Sequence, residues 1–166
     1  MSRKSGVFLN VSSLPSPFGI GVFGREAKAW IDSLAESGFC IWQVLPFNPI
    51  GSGNSPYASP SAFAGNVLYI DPRTLAEEAL LTYNEVVDSY YHGSPYTVDY
   101  GFATEKKEFL LRRAFSRADT VLLEKVRKFG EDNKHIKDYA LFLVAKKHND
   151  DKPWWLWGRE YDYKNA

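Results

Sequence analysis

The sequence has little cysteine, no excess of charge of either sign and no long apolar run. The one cysteine, Cys40, has no partner for a disulfide and does not supply the set of ligands that a zinc site needs. Basic and acidic residues each number 20, so the formal net charge is zero. A neutral chain without a basic block is a poor match for nucleic acid or for an anionic membrane surface. No apolar run approaches the roughly 20 residues of a membrane span.

The length and the composition point to a folded, globular chain. Its 166 residues correspond to one domain or part of one, and the 45% of hydrophobic residues exclude intrinsic disorder. The first residues are not followed by an apolar stretch of signal-peptide length. We therefore expect a cytoplasmic protein with neither a membrane nor a nucleic-acid partner. The sequence does not indicate an oligomeric state.

Charge is distributed unevenly along the chain. Residues 1–71 hold 8 charged residues and are rich in glycine, proline and serine, whereas residues 72–166 hold 32 charged residues. The second part is typical of solvated helices. We therefore predict a boundary between residues 1–71 and residues 72–166.

The first part predicts a strand, a helix and a second strand. Gly6 to Leu9 is a short apolar run, and the apolar residues that follow Arg25 recur at helical spacing. Phe39 to Leu45 is almost continuously apolar, as in a strand that is covered on both faces. This order favours a parallel βαβ unit and an α/β fold. Val67 to Ile70 is expected to be a short extended segment.

The second part is mostly helical. The spacing of its apolar residues predicts helices over Pro72 to Leu81, Phe102 to Ala118, Thr120 to Glu131 and Lys134 to His148.

The glycines between Gly19 and Gly24 match the G-x-G-x-x-G pattern of dinucleotide-binding folds. That pattern needs a strand that runs directly into the glycines and an acidic residue after the next strand. Here a proline-rich loop comes first, and no acid follows Leu45. We interpret these glycines as turn residues that precede a helix.

The loop from Gly51 to Asn66 is long, uncharged and rich in serine and asparagine. It follows the carboxyl end of a predicted parallel strand, where α/β folds place their ligands. Hydroxyl groups, amides and an aromatic face suit a neutral ligand such as a sugar. The alternative is a structural Ω-loop in which Tyr57 and Phe63 only pack. The residues alone leave both interpretations open.

Four segments carry a resemblance to a known family. They are SSLPSPFGIGVFG (Ser12 to Gly24), WQVLPFNP (Trp42 to Pro49), SPYASPSAFAGN (Ser55 to Asn66) and DYALFLVAKKH (Asp138 to His148). In this order they resemble the N-terminal landmarks of the 4-alpha-glucanotransferases, also called amylomaltases or disproportionating enzymes, of glycoside hydrolase family seventy-seven.

The resemblance implies the N-terminal part of a (β/α)8 barrel with a helix-rich insertion, so that this chain forms an incomplete barrel. The implied reaction transfers an α-1,4-glucan segment to the 4-hydroxyl of an acceptor glucose or maltodextrin, by a retaining double displacement between carboxylates. In the family those carboxylates follow later strands, so no catalytic residue is expected in this chain. Neither a cofactor nor a metal is implied.

The resemblance assigns substrate-binding roles to Ser55 and Tyr57, which would bind a sugar hydroxyl and stack on a glucose unit. The expected partners are therefore α-1,4-glucans. The sequence leaves two alternatives open: a catalytically inactive glucan-binding or interaction module, and an α-amylase-type hydrolase.

Overall fold

A computed structural model describes residues 3–158 of the chain. Their contacts divide the chain into two compact units, one that ends at Val121 and one that begins at Leu122. The first unit contains the strands β1 (Gly6–Phe8) and β2 (Ile41–Gln43) and the helices α1 (Arg25–Glu36), α2 (Pro72–Glu77), α3 (Tyr83–Val87) and α4 (Tyr100–Ser116). The helix α5 (Thr120–Asp132) begins at the junction, and α6 (Lys134–His148) belongs to the second unit.

The two strands form a parallel pair, as predicted. Val7 lies opposite Trp42, and the ladder continues beyond the strands through the Leu9 amide, which donates to the Gln43 carbonyl at 3.0 Å. Gly38, with φ of +78°, ends α1 and leads into β2. The prediction that the second strand is covered on both faces is wrong within the described residues, because the sheet has two strands and Ile41 is 48% exposed.

The core of the first unit is built around the chain segment between β1 and α1. Val11, Ile20 and Val22 are at most 2% exposed although they lie outside the α-helices and strands, with Val11 at the start of a single 3-10 turn. Ala103 and Leu110 of α4 belong to the two apolar clusters that cover this segment. The proline- and glycine-rich stretch is therefore interior structure and not a surface connection.

The glycines of this segment were interpreted as turn residues before a helix, and the structure adds a packing role at Gly21. Gly19 has φ of +72°, and a Cβ on Gly21 would lie 1.9 Å from the Val11 carbonyl oxygen. Gly24 is the residue that precedes α1.

Two segments after residue 66 differ from their predicted structure. Val67 to Ile70 is not extended: Val67–Tyr69 form a single 3-10 turn, and the Asn66 side chain caps it by accepting the Leu68 amide. The predicted helix from Pro72 to Leu81 is shorter, because Ala79 adopts φ of +59° and α2 ends before it. The division between the compact units falls after Val121, and the boundary after residue 71 stays a prediction.

The second unit consists of α6, most of α5 and a tryptophan-rich turn. The rings of Phe142 and Trp157 lie 5.5 Å apart, and Trp157 Nε1 donates to the Lys152 carbonyl at 2.8 Å. Across residues 3–158, no helix combines the length and the apolar character that are needed to cross a membrane.

Candidate functional site

Two long loops leave the same edge of the sheet. Because β1 and β2 are parallel, the loop after Phe8 and the loop after Gln43 both start at the carboxyl edge. Trp42 Nε1 donates to the Leu9 carbonyl at 2.7 Å and ties the start of one loop to the neighbouring strand. Open α/β sheets and barrels bind their ligands at this edge.

The loop of residues 51–66 is folded back on itself. The Gly51 amide donates to the Ser55 carbonyl at 2.9 Å, and a Cβ on Gly51 would lie 1.7 Å from the Ala58 carbonyl oxygen. At the base of the loop, Asn48 Nδ2 donates to the Ser61 carbonyl at 2.9 Å. The path of this loop therefore depends on a glycine at position 51 and on hydrogen bonds made within the loop and its flanks.

Ser55 and Tyr57 lie in the tightest part of this loop, a 3-10 turn of residues Pro56–Ala58. The half-buried Ser55 caps the turn, because its Oγ accepts the Tyr57 amide at 3.2 Å. The Tyr57 ring is 76% exposed, and so is the ring of Phe63. The Tyr57 ring is therefore not packed inside the loop.

The turn that contains Ser55 and Tyr57 presents uncharged groups to a ligand. Ser55 Oγ uses a lone pair to accept the Tyr57 amide, and its own proton can still be donated to a ligand oxygen. Tyr57 presents an apolar face and a hydroxyl group. Residues 51–66 contain no charged side chain. Together these groups can hydrogen-bond and stack on a neutral polyhydroxylated ligand.

An aromatic cluster beside the base of the loop was not predicted from the sequence. Tyr69 is 3% exposed, packs edge-on against Phe23 and Phe47, and has its pKa raised by burial. Asn66 caps the turn that carries Tyr69, since its Oδ1 accepts the Leu68 amide at 3.0 Å. These aromatic rings and Asn66 line a cavity of about 330 Å³. An asparagine directly before a short apolar stretch was the signal for this cap.

Two carboxylates at the points where these loops rejoin the helices are already paired. The Asp71 carboxylate, which caps α2, and the Glu26 carboxylate on α1 both accept hydrogen bonds from the Arg73 guanidinium. The hydrogen bonds from Arg73 are the main cause that lowers the pKa of Glu26 to about 2. Residues 3–158 contain no group of three histidine, cysteine, aspartate or glutamate side chains that could hold a metal ion.

Comparison with known proteins decides which family this arrangement belongs to. The sequence profile of the glycoside hydrolase family seventy-seven, described as 4-alpha-glucanotransferase, matches residues 9–166. The chain belongs to the 4-alpha-glucanotransferase family. This membership confirms the resemblance drawn from the four sequence segments.

Curated 4-alpha-glucanotransferases are similar to nearly all of the chain. The protein from Aquifex aeolicus is 43% identical over 161 residues, which cover 95% of this chain and 32% of that protein. The protein from Thermus thermophilus is 39% identical over 162 residues, which cover 95% of this chain and 31% of that protein. The chain therefore spans about a third of the length of the relatives it matches.

A solved structure of a 4-alpha-glucanotransferase relative shares the fold. The amylomaltase from Streptococcus agalactiae, determined in complex with acarbose, matches with a TM-score of 0.88 and 34% identity. The match covers 94% of this chain and 32% of that chain. The chain thus has the α/β fold of the corresponding portion of an amylomaltase, with an open two-stranded sheet in the described residues.

Proposed function

We propose that the complete protein transfers an α-1,4-glucan segment from a donor to the 4-hydroxyl of an acceptor glucose or maltodextrin. In this proposal the present chain forms the first part of a (β/α)8 barrel, residues 72–166 form a helix-rich insertion, and residues 51–66 form one wall of the glucan cleft. The observation that carries the proposal is the exposed ring of Tyr57, on a neutral loop at the carboxyl edge of two parallel strands in a chain of this family.

The turn that contains Tyr57 suits a glucose unit. A pyranose ring exposes C–H groups on its faces and hydroxyl groups around its rim, so its binding needs an apolar platform beside hydrogen-bonding groups. Tyr57 supplies the platform, and the Ser55 hydroxyl donates to a sugar oxygen while it holds the Tyr57 backbone. The acarbose bound to the amylomaltase from Streptococcus agalactiae supports a sugar-like ligand for this fold.

The proposed chemistry is a retaining double displacement. One carboxylate attacks the anomeric carbon and forms a glycosyl-enzyme, a second protonates the leaving oxygen and then deprotonates the acceptor hydroxyl, and a third stabilises the distorted sugar. We assign all three to the part of the protein outside this chain. Two features support that assignment: Glu26 and Asp71 are paired with Arg73, and residues 51–66 contain no acid.

The reaction is tested by giving maltotriose to the complete gene product. A transferase yields glucose together with a ladder of longer maltodextrins. Glucose and maltose without longer products would indicate an α-amylase-type hydrolase. Binding of maltodextrin with no new product would indicate the inactive glucan-binding module instead.

The role of Tyr57 is tested by a matched pair of tyrosine variants. Tyr57→Ala removes the platform, and we expect kcat/KM for maltotriose to fall by about tenfold or more, which corresponds to about 1.4 kcal/mol. Tyr57→Phe keeps the ring and should retain most of the activity. Tyr83→Ala removes another tyrosine of the first unit that is 73% exposed and serves as the control. Unchanged kinetics in Tyr57→Ala would remove this loop from the cleft.

A further inference from the structure

A second neutral groove lies in the first unit and has its own set of lining residues. It has a volume of about 130 Å³ and runs between residues 12–21 and residues 91–98. None of its lining residues is charged, and half of them carry a hydroxyl group. None of its lining residues belongs to the loop that contains Ser55 and Tyr57.

The two walls of this groove are fixed to each other. The Tyr91 amide donates to the Pro17 carbonyl at 2.7 Å, and the Asp99 amide donates to the Gly19 carbonyl at 2.9 Å. Gly19 adopts φ of +72°, and an added Cβ would lie 3.1 Å from the Phe102 ring. The groove is therefore preformed, and a ligand would not need to order it.

Hydroxyl groups on both walls are oriented by backbone amides. Ser16 Oγ accepts the Phe18 amide at 3.1 Å, and Ser94 Oγ accepts the Tyr96 amide at 3.3 Å. In each case the amide occupies a lone pair and leaves the hydroxyl proton available for a ligand oxygen. The groove thus offers donors at defined positions from two directions.

Aromatic rings complete the groove. Tyr91 is held against Phe102 with the ring centroids 5.0 Å apart, and a Cβ on Gly93 would lie 2.2 Å from the Tyr91 hydroxyl. Tyr96 stands at the mouth of the groove and is 94% exposed. A large aromatic side chain so fully in solvent adds nothing to the packing of the first unit.

We propose that this groove is a second carbohydrate-binding site, which holds a neutral sugar unit of an α-glucan against the face of Tyr96. A charged ligand would lack a counter-charge here, and a purely apolar ligand would leave the hydroxyl groups without partners. A sugar ring satisfies both requirements. The choice of an α-glucan rests on the proposed function. Because the groove shares no lining residue with the loop of residues 51–66, we assign it the retention of long glucans and not the transfer itself.

The test uses the complete gene product and two substrates of different length. Affinity for amylose is measured by retardation in native gels that contain amylose, and maltotriose kinetics report on the cleft alone. We expect Tyr96→Ala to raise the apparent Kd for amylose by about threefold or more and to leave maltotriose kinetics within about twofold. Tyr96→Phe should retain the affinity, and Tyr83→Ala is the matched control.

Three results would overturn the proposal: unchanged amylose affinity in Tyr96→Ala, an equal loss in Tyr83→Ala, or a loss of maltotriose turnover in Tyr96→Ala. The first means that no glucan uses Tyr96, the second that any exposed tyrosine contributes, and the third that the groove belongs to the cleft. Failure of the proposed function is read separately, from the Tyr57 variants and the product ladder.

Discussion

Arg73 on α2 donates to both carboxylate oxygens of Glu26 on α1, over distances of 2.8 and 2.5 Å. The same guanidinium holds Asp71, which is only 4% exposed. A Cβ on Gly24 would lie 1.9 Å from Asp71 Oδ2, so the start of α1 and the start of α2 approach closely. This contact fixes the two points at which the long loops rejoin the helices.

Loss of Arg73 should destabilise the protein strongly. In Arg73→Met the Asp71 carboxylate remains buried without its cation, and such a loss costs about 3–5 kcal/mol of the free energy of unfolding. Arg112→Met removes an exposed i,i+4 pair with Glu108 and should cost about 0.5 kcal/mol or less. Urea unfolding of the complete gene product measures both. Equal midpoints for the two variants would contradict the assigned role of Arg73.

The Glu26 pair also predicts a dependence of stability on pH. Hydrogen bonds from Arg73 lower the pKa of Glu26 from 4.5 to about 2. A lowered acid pKa contributes stability that is present above the unfolded pKa and is lost as the pH falls through the folded pKa. Glu26→Gln should therefore unfold at a lower temperature than the parent above pH 4.5, and the difference should shrink as the pH approaches 2. Thermal unfolding across this range measures it; a constant difference would contradict the pairing.

Lys107 predicts a second rise of stability with pH, in the alkaline range. It is 3% exposed on α4, donates to the Ile70 carbonyl and lies 5.3 Å from the Phe18 ring, and burial lowers its pKa from 10.5 to about 7. Between these pKa values the unfolded chain binds the extra proton, so stability rises with pH by at most about 1.4 kcal/mol per unit.

The measurement is the difference in free energy of unfolding between the parent and Lys107→Met. From the folded pKa of about 7 towards 10.5, the parent should gain stability relative to the variant. Below that range the difference should be constant. If the difference in free energy of unfolding stays constant from about pH 7 to pH 10.5, Lys107 keeps its charge inside the fold.

Regular elements with a clear period were predictable from sequence. The helix α6 has the predicted bounds, and the first strand and α1 were placed to within one or two residues. Their apolar spacing decides the structure locally. The turn at Val67 was not predictable in this way, because its geometry depends on the Asn66 cap and on burial of Leu68 and Tyr69 against non-local residues.

The core was harder to predict than the elements. Val11, Ile20 and Val22 are separated by prolines, glycines and serines, a composition that usually indicates an exposed loop. They are buried because α4, some 80 residues later in the chain, contributes to the clusters that cover them. No local pattern carries that information.

The candidate site was predicted only in part. The uncharged loop indicated a neutral ligand, and the family resemblance singled out Ser55 and Tyr57. The capping hydrogen bond between these two residues follows from the Ser-Pro-Tyr spacing, since a serine before a proline at the first helical position is a common cap. The Tyr69 cluster was not predicted because its rings come from three separate segments.

Gly51 gives the sharpest test of the loop that carries Ser55 and Tyr57. A Cβ at this position would lie 1.7 Å from the Ala58 carbonyl oxygen, and because the obstacle is backbone, Gly51→Ala must open the loop. We expect kcat/KM for maltotriose to fall by about tenfold or more, with most of the effect in KM. The control is Gly65→Ala in the same loop, where an added Cβ has no neighbour within 4 Å, and its kinetics should stay within about twofold of the parent. If KM rises in Gly51→Ala but not in the control, and thermal unfolding is unchanged, the fold is intact. Substrate binding then depends on the position of the Tyr57 ring. Parent-like kinetics in Gly51→Ala would mean that the transfer reaction does not depend on the conformation of this loop.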